Sequence, residues 1–148
     1  MSNVTLRRLA AVIATAGAAA GSWAVVAEAA GVHLGFQFPH AAASTLGAGR
    51  TIAVTVGAAI LGWAALALAE RRLGRPRRSW VAAAAIVFVA SLALPLGFAS
   101  TTAATVGMIA IHLAVAAVAI AGFAPTIAAH RVRGLRTAAP AGLAQRAA

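Results

Sequence analysis

Residues 79–129 decide the fold, and they read SWVAAAAIVFVASLALPLGFASTTAATVGMIAIHLAVAAVAIAGFAPTIAA, without a single Arg or Glu. A helix rises about 1.5 Å per residue, so about 20 apolar residues cross a hydrocarbon core of about 30 Å. The stretch is too long for one crossing. Pro95, Gly97 and the polar residues 100–102 predict a tight turn inside it, and hence two membrane-spanning helices.

Arginine clusters flank this stretch, with RRLGRPRR at 71–78 before it and HRVRGLR at 130–136 after it. Two further apolar segments precede the first of these clusters. The sequence therefore predicts an all-α integral membrane protein that folds as an antiparallel four-helix transmembrane bundle. The predicted membrane domain covers residues 1–130, with helices at about 9–30, 51–69, 79–98 and 103–129.

The composition supports a membrane protein and excludes an ordinary soluble domain. The chain is 62% hydrophobic and 9% charged, whereas soluble domains carry about 25% charged residues. The net charge of +10 comes from arginines at segment ends, so acidic lipid headgroups are the expected partners, not nucleic acid. The absence of cysteine excludes disulfides and thiolate metal sites.

The distribution of arginines between the two sides predicts the orientation. The N-terminus, the 70–78 loop and the C-terminal tail hold eleven of the twelve arginines, while the 31–50 loop holds only Arg50. Because cationic loops stay in the cytoplasm, both termini are expected there, in the inner or plasma membrane. Residues 131–148 read as a flexible basic tail. An alternative treats the first segment as a cleaved signal peptide, which would leave three spans.

Glu28 is the first candidate functional residue, because an ionisable side chain in lipid is costly. Helical spacing places Gly17, Gly21 and Glu28 on one face of the first helix, and Gly-xxx-Gly spacing favours close helix packing. Arg50 is expected at the same membrane level as Glu28. An ion pair between them would lower the cost of both charges, and the alternative is two charges that separately reach the headgroups.

His112 is the second candidate, near the middle of the fourth helix. Thr101, Thr105 and His112 share a helical face and form a polar stripe from the outer surface. Thr55 and Ser91 lie on the second and third helices, and Pro95 leaves the carbonyl of Ser91 without its helical donor. Together with Glu28 and Arg50, these residues predict an outward-open polar cavity. His112 is either an interhelical hydrogen-bonding group or part of a proton or ligand path.

No metal site or cofactor is expected. His33 and His40 are expected in the outer loop, His112 near the midplane and His130 at the cytoplasmic end, so the four histidines cannot converge on one ion. Two glutamates without any aspartate cannot supply a pair of catalytic carboxylates. Glu70 is expected to pair locally with Arg71 and Arg72. Trp80 reads as an interfacial anchor beside the arginine loop.

The pattern resembles a family of small four-span membrane proteins of unknown function from high-GC Gram-positive bacteria. The resemblance covers residues 7–130 and is carried by these segments: Ala29-Ala30-Gly31-Val32, Leu61-Gly62-Trp63, Ala69-Glu70-Arg71-Arg72, Ser91-Leu92, Pro95-Leu96, Thr101-Thr102-Ala103-Ala104 and Ile111-His112-Leu113-Ala114-Val115-Ala116-Ala117. Where that family often places Pro-Gly after the last aliphatic run, this chain spreads Gly122 and Pro125 apart. The resemblance implies a fold and a membrane location, and no activity.

Three functions fit these residues. The leading one is a non-catalytic accessory or interaction subunit that binds another membrane protein or forms a homo-oligomer. The alternative is an oligomeric small-solute transporter or channel that uses the polar outer cavity. A membrane enzyme acting on a lipophilic substrate through His112 is the third.

Overall fold

A computed structural model of the protein describes residues 2–73 and 76–137, with side chains as far as residue 127. Its elements in chain order are helix α1 (Asn3–Trp23), a π-helical turn (Ala24–Ala29), strands β1 (Gly35–Phe36) and β2 (Ser44–Thr45), and helices α2 (Ala48–Arg72), α3 (Pro76–Ser91), α4 (Ala93–Phe98) and α5 (Thr102–Thr137). Four helical segments in this described part are long and apolar enough to cross a membrane. The predicted all-α four-helix membrane fold is confirmed.

The helices extend beyond the predicted apolar limits and include the flanking arginines. Ser2 caps α1 by accepting a hydrogen bond from the backbone N–H of Thr5 at 3.2 Å, so the helix begins six residues before the predicted start at residue 9. Hydropathy marks where the membrane begins, whereas hydrogen bonds and caps mark where a helix begins. Helix α5 continues to Thr137, and the rest of the predicted tail, residues 138–148, lies outside the described residues.

The third span, predicted as one helix over 79–98, is broken near its end. Proline at position 95 has no backbone N–H, so the carbonyl of Ser91 loses its usual donor. Helix α3 ends at Ser91, and the N–H of Leu92 is shared between the carbonyls of Phe88 at 3.3 Å and Val89 at 3.2 Å. The short helix α4 then completes the span.

Helix α5 packs antiparallel to α1 and to the π-helical turn that follows it, and two glycines of α5 allow the close approach. A Cβ atom at Gly122 would lie 2.8 Å from the Cβ of Ala11, and one at Gly107 would lie 2.6 Å from Cγ1 of Val26. Gly17 and Gly21, predicted to mediate packing, are exposed, and a Cβ atom at either position would meet nothing within 4 Å. They make no helix contact within the described part of the chain, and a role between chains stays a prediction.

The main apolar core lies between α1, α2, α3 and α5, and we call it the central core. Its buried members are Ala11, Val12, Ala59, Leu66, Trp80, Phe123 and Ile127. Trp80 packs on Phe123 with ring centroids 6.0 Å apart and donates its indole N–H to the carbonyl of Gly62 at 3.1 Å. The prediction of Trp80 as an interfacial anchor is wrong, because its ring is buried between helices.

Residues 31–47 fold into a cap over one end of the bundle, and we call this end the cap end. Strands β1 and β2 pair antiparallel, and backbone hydrogen bonds from Gln37 N to Phe98 O (2.9 Å) and from Ser100 N to Gly35 O (3.0 Å) tie the cap to the turn before α5. Leu34 is buried in a second apolar cluster with Met108 and Ile111. The opposite end, with residues 70–78, is the arginine end.

Candidate polar site within the bundle

Glu28 and Arg50, the predicted charged pair, both lie at the cap end and are exposed. Glu28 sits in the π-helical turn, while the guanidinium of Arg50 lies over the ring of Phe36, 5.6 Å from its centroid. The salt bridge found within the described residues joins Arg8 and Glu70 instead. The predicted Glu28–Arg50 ion pair is therefore wrong, because the folded cap presents an aromatic face to Arg50.

Thr101 and Thr105 use their hydroxyl groups locally at the start of α5. The hydroxyl of Thr101 accepts a hydrogen bond from the backbone N–H of Ala104 at 3.1 Å and so caps the helix. The hydroxyl of Thr105 donates to the carbonyl of Thr101 at 3.1 Å. These two residues lie near the surface at the cap end and complete their hydrogen bonds within one turn.

His112 lies ten residues beyond the first residue of α5, which places it about 15 Å into the span. Its Nδ1 atom is 2.7 Å from the carbonyl oxygen of Met108. A carbonyl oxygen only accepts, so Nδ1 carries a proton and donates this hydrogen bond. No side chain in the described part of the protein bonds to Nε2.

Thr55 and Ser91 differ in how their hydroxyl groups are satisfied. Ser91 donates to the carbonyl of Phe88 at 2.7 Å and keeps its lone pairs free. Thr55 is only 8% exposed, yet its hydroxyl makes no hydrogen bond within the described residues. A largely buried hydroxyl that makes no hydrogen bond is costly in an apolar setting, so this position is unusual.

The helix register places Thr55, Ser91 and His112 at one level of the bundle. Each lies eleven residues from a member of the central core, on the side toward the cap end: Thr55 from Leu66, Ser91 from Trp80, and His112 from Phe123. Eleven residues make about three helical turns, so each polar residue is also on the same side of its helix as its core partner. The register therefore gives the three residues a similar depth along their own helices, on the cap side of the central core. We call Thr55, Ser91 and His112 the polar layer.

Two atoms of the polar layer make no hydrogen bond within the described residues and keep some accessible surface. Every side-chain nitrogen or oxygen that is fully buried within the described residues has a hydrogen-bond partner. Because Thr55 Oγ1 and His112 Nε2 have none, neither atom is fully covered. Thr55 can donate or accept a hydrogen bond, Ser91 can accept one, and His112 can accept one at Nε2.

The chemistry of the polar layer is that of a neutral hydrogen-bonding site. No group of three metal-ligating side chains occurs among the residues that the structure describes. Both glutamates lie away from it, with Glu28 at the cap end and Glu70 at the arginine end. The polar layer therefore offers neutral hydrogen-bonding groups, and neither glutamate is a charged partner for His112.

A second polar cluster, which sequence reasoning missed, lies at the arginine end. Arg8 donates from Nη2 to Glu70 Oε1 at 2.5 Å and from Nε to Thr126 Oγ1 at 3.3 Å, and so connects α1, α2 and α5. The side chains of Arg8 and Glu70 are 7% and 19% exposed. The predicted pairing of Glu70 with its neighbours Arg71 and Arg72 is wrong, because Arg8 occupies its carboxylate. Helical spacing offered one signal: Glu70 shares the inward side of α2 with Leu66, four residues before it.

Four helices that are long and apolar enough to cross a membrane, joined by a folded cap, define a multi-pass helical membrane protein. The chain belongs to the family described as "Family of unknown function (DUF6069)", which matches residues 1–129. Comparisons with curated proteins and with solved structures found no match.

Proposed function

We propose that this protein is a non-catalytic accessory subunit that binds another membrane protein through helix α3. The observation that carries the proposal is that the four spans are buried to different extents by the rest of the chain. Only 6% of the apolar stretch of the α3–α4 span is buried within the chain, against 22% in each of the other three spans. Trp80 and Ala84 of helix α3 pack in the central core, and most of the other side chains of this helix are exposed.

The outward face of α3 suits a transmembrane helix of a partner protein. Ala82, Ala83 and Ala85 are exposed there beside Ile86 and Val89. Small residues allow the backbones of two helices to approach closely, and larger aliphatic side chains then fill the remaining space. A helix of matching shape makes closer van der Waals contacts with such a surface than lipid tails do. Helix association in a bilayer depends on this packing.

Transport of a small solute is the alternative function, and the packing below the polar layer disfavours it. A solute moving from the cap end would pass Thr105 and His112 and then meet Trp80, Phe123 and Leu66 of the central core. These side chains would have to move apart before the solute could reach the arginine end. An enzyme acting on a lipophilic substrate ranks third, because His112 has no charged partner at its level.

We further propose a bacterial plasma-membrane location with both termini in the cytoplasm. Exposed arginines at the arginine end support this orientation: Arg7, Arg71, Arg72, Arg77 and Arg78. Acidic lipid headgroups are their proposed partners, because Arg8 already occupies the nearby Glu70. A reporter enzyme that is active only outside the cytoplasm tests the orientation when it is fused either to the C-terminus or into the 37–43 turn of the cap. We expect activity from the fusion in the cap and none from the fusion at the C-terminus. Activity at the C-terminus would refute the orientation.

Site-directed photo-crosslinking in native membranes tests the accessory role. A photoreactive amino acid at Ile86 on α3 is compared with one at Leu61, which is equally aliphatic and exposed on α2. We expect one discrete protein adduct from Ile86 and lipid adducts alone from Leu61. Adducts of doubled chain mass from Ile86 would mean a homodimer, and lipid adducts at both positions would mean a free surface. Either result would refute a heterologous partner on α3.

A further inference from the structure

We propose that the partner of helix α3 carries a carboxylate at the end of its transmembrane helix, where the carboxylate pairs with Arg78 at the arginine end. This inference rests on the proposed function and names the chemistry that the partner has to offer. Two observations carry it: Arg78 lies on the exposed face of α3, and the described residues hold no free carboxylate at this end of the bundle.

Arg78 shares the face of α3 that is assigned to the partner. Ala82, Ala85 and Val89 follow it by four, seven and eleven residues, which is the spacing of one helical face. All four residues are exposed, whereas Trp80, about 200° around the helix from Arg78, is buried in the central core. A helix that covers this face therefore also comes to lie beside Arg78.

The chain itself supplies no counter-charge for Arg78 in the described part of the bundle. Its two acidic residues are Glu28, which lies at the cap end, and Glu70, whose carboxylate is bonded to Arg8. In the free protein, lipid headgroups and water can surround Arg78, as they can the other exposed arginines. A partner helix on α3 displaces them, so the partner has to provide the negative charge.

A second copy of this chain does not meet that requirement. Two copies in one membrane have the same orientation, so a twofold interface through α3 places Arg78 opposite Arg78 of the other copy. Like charges that face each other disfavour such an interface. The charges therefore favour a different protein, one whose membrane helix ends in Asp or Glu at the level of the arginine end.

Charge reversal in native membranes tests the proposal, with the photoreactive amino acid at Ile86 as the reporter of the complex. We expect Arg78→Glu to lower the yield of the Ile86 protein adduct about tenfold, because one attraction between charges becomes a repulsion of similar size. Arg72→Glu is the control variant, since Arg72 is also exposed at the arginine end but lies on α2. We expect the control to leave the yield unchanged. Melting temperatures and the reporter fusion in the cap verify that both variants fold and keep their orientation.

Mass-spectrometric sequencing of the adduct then identifies the cross-linked helix of the partner. We expect an Asp or Glu within about two helical turns of its end at the level of the arginine end. Replacing that residue by Arg should restore the Ile86 adduct of the Arg78→Glu chain.

Three results would overturn the proposal and leave the proposed function intact. An unchanged adduct in Arg78→Glu would mean that Arg78 faces lipid headgroups in the complex. An equal loss in Arg72→Glu would mean a general effect of charge at this end, and a cross-linked helix without an acidic residue there would lack the proposed group. A homodimer adduct from Ile86 of the unmodified chain, or no protein adduct at all, would overturn both proposals.

Discussion

The cluster at the arginine end yields the sharpest stability prediction, which is that Glu70→Ala destabilises the protein severely. The substitution leaves the guanidinium of Arg8 buried, with a single neutral partner, the hydroxyl of Thr126 at 3.3 Å. Removing one partner of a buried ion pair typically costs about 3–5 kcal/mol. Since the Glu70 side chain is 19% exposed, some water reaches the site. We therefore expect the free energy of unfolding to fall by about 3 kcal/mol.

Reversible unfolding in mixed micelles, titrated with a denaturing detergent, measures this loss. Arg7→Ala is the control, because Arg7 is adjacent and exposed, and it should change stability by less than about 0.5 kcal/mol. Replacing Arg8 and Glu70 together by Met should restore stability to within about 1 kcal/mol of the native chain, since two apolar side chains need no counter-charge. A Glu70→Ala effect as small as that of Arg7→Ala, or strict additivity of alanine substitutions at both positions, would refute the buried pair.

Three further predictions follow from individual contacts. Gly122→Val should lower stability by about 2 kcal/mol through overpacking against α1, whereas Gly17→Val should change monomer stability little, as thermal unfolding in detergent can measure. Trp80→Phe removes an indole hydrogen bond and part of the central core, and should cost about 2 kcal/mol in the same assay. Arg50→Ala and Glu28→Ala should each have a mild effect and add without coupling in a double-mutant cycle; coupling above about 0.5 kcal/mol would contradict their separation.

Hydropathy and charge predicted the architecture because the bilayer imposes a length on each span. The turn between the last two spans was also predictable from the polar residues Ser100 and Thr101, although Pro95 and Gly97, which suggested it too, lie within helix α4. The break after Ser91 follows from the same proline. The sparse covering of α3 by the other helices depends on contacts that no local pattern contains.

The polar layer was predicted in composition but not in geometry. Thr55, Ser91 and His112 were each recognised as polar residues in apolar helices, and the register between helices then determined which of them share a level. Arg8 and Glu70 are 62 positions apart in the chain, so their pairing depends on how α1 and α2 align. Local spacing instead suggested that Glu70 pairs with Arg71 and Arg72, which are exposed.

Folding of residues 31–47 was the least predictable feature. Short strands such as β1 and β2 have no clear alternation, and their pairing depends on the turn before α5, more than 50 residues later. The cap also explains why Arg50 lies over Phe36. The position of the Arg50 side chain could not be derived from the membrane level of Glu28 alone.

The proposed accessory role is tested most directly by the mass of the native assembly. The protein is released from native membranes in a mild detergent, and native mass spectrometry compares it with an Ala82→Phe, Ala85→Phe variant of α3 and with a Val54→Phe variant of α2. Both sites are exposed, so folding should survive in each case. We predict a complex with one other membrane protein that the α3 variant loses and the α2 variant keeps. Release of the unmodified protein as a monomer or homo-oligomer, or equal survival of the complex in both variants, would contradict the proposed role.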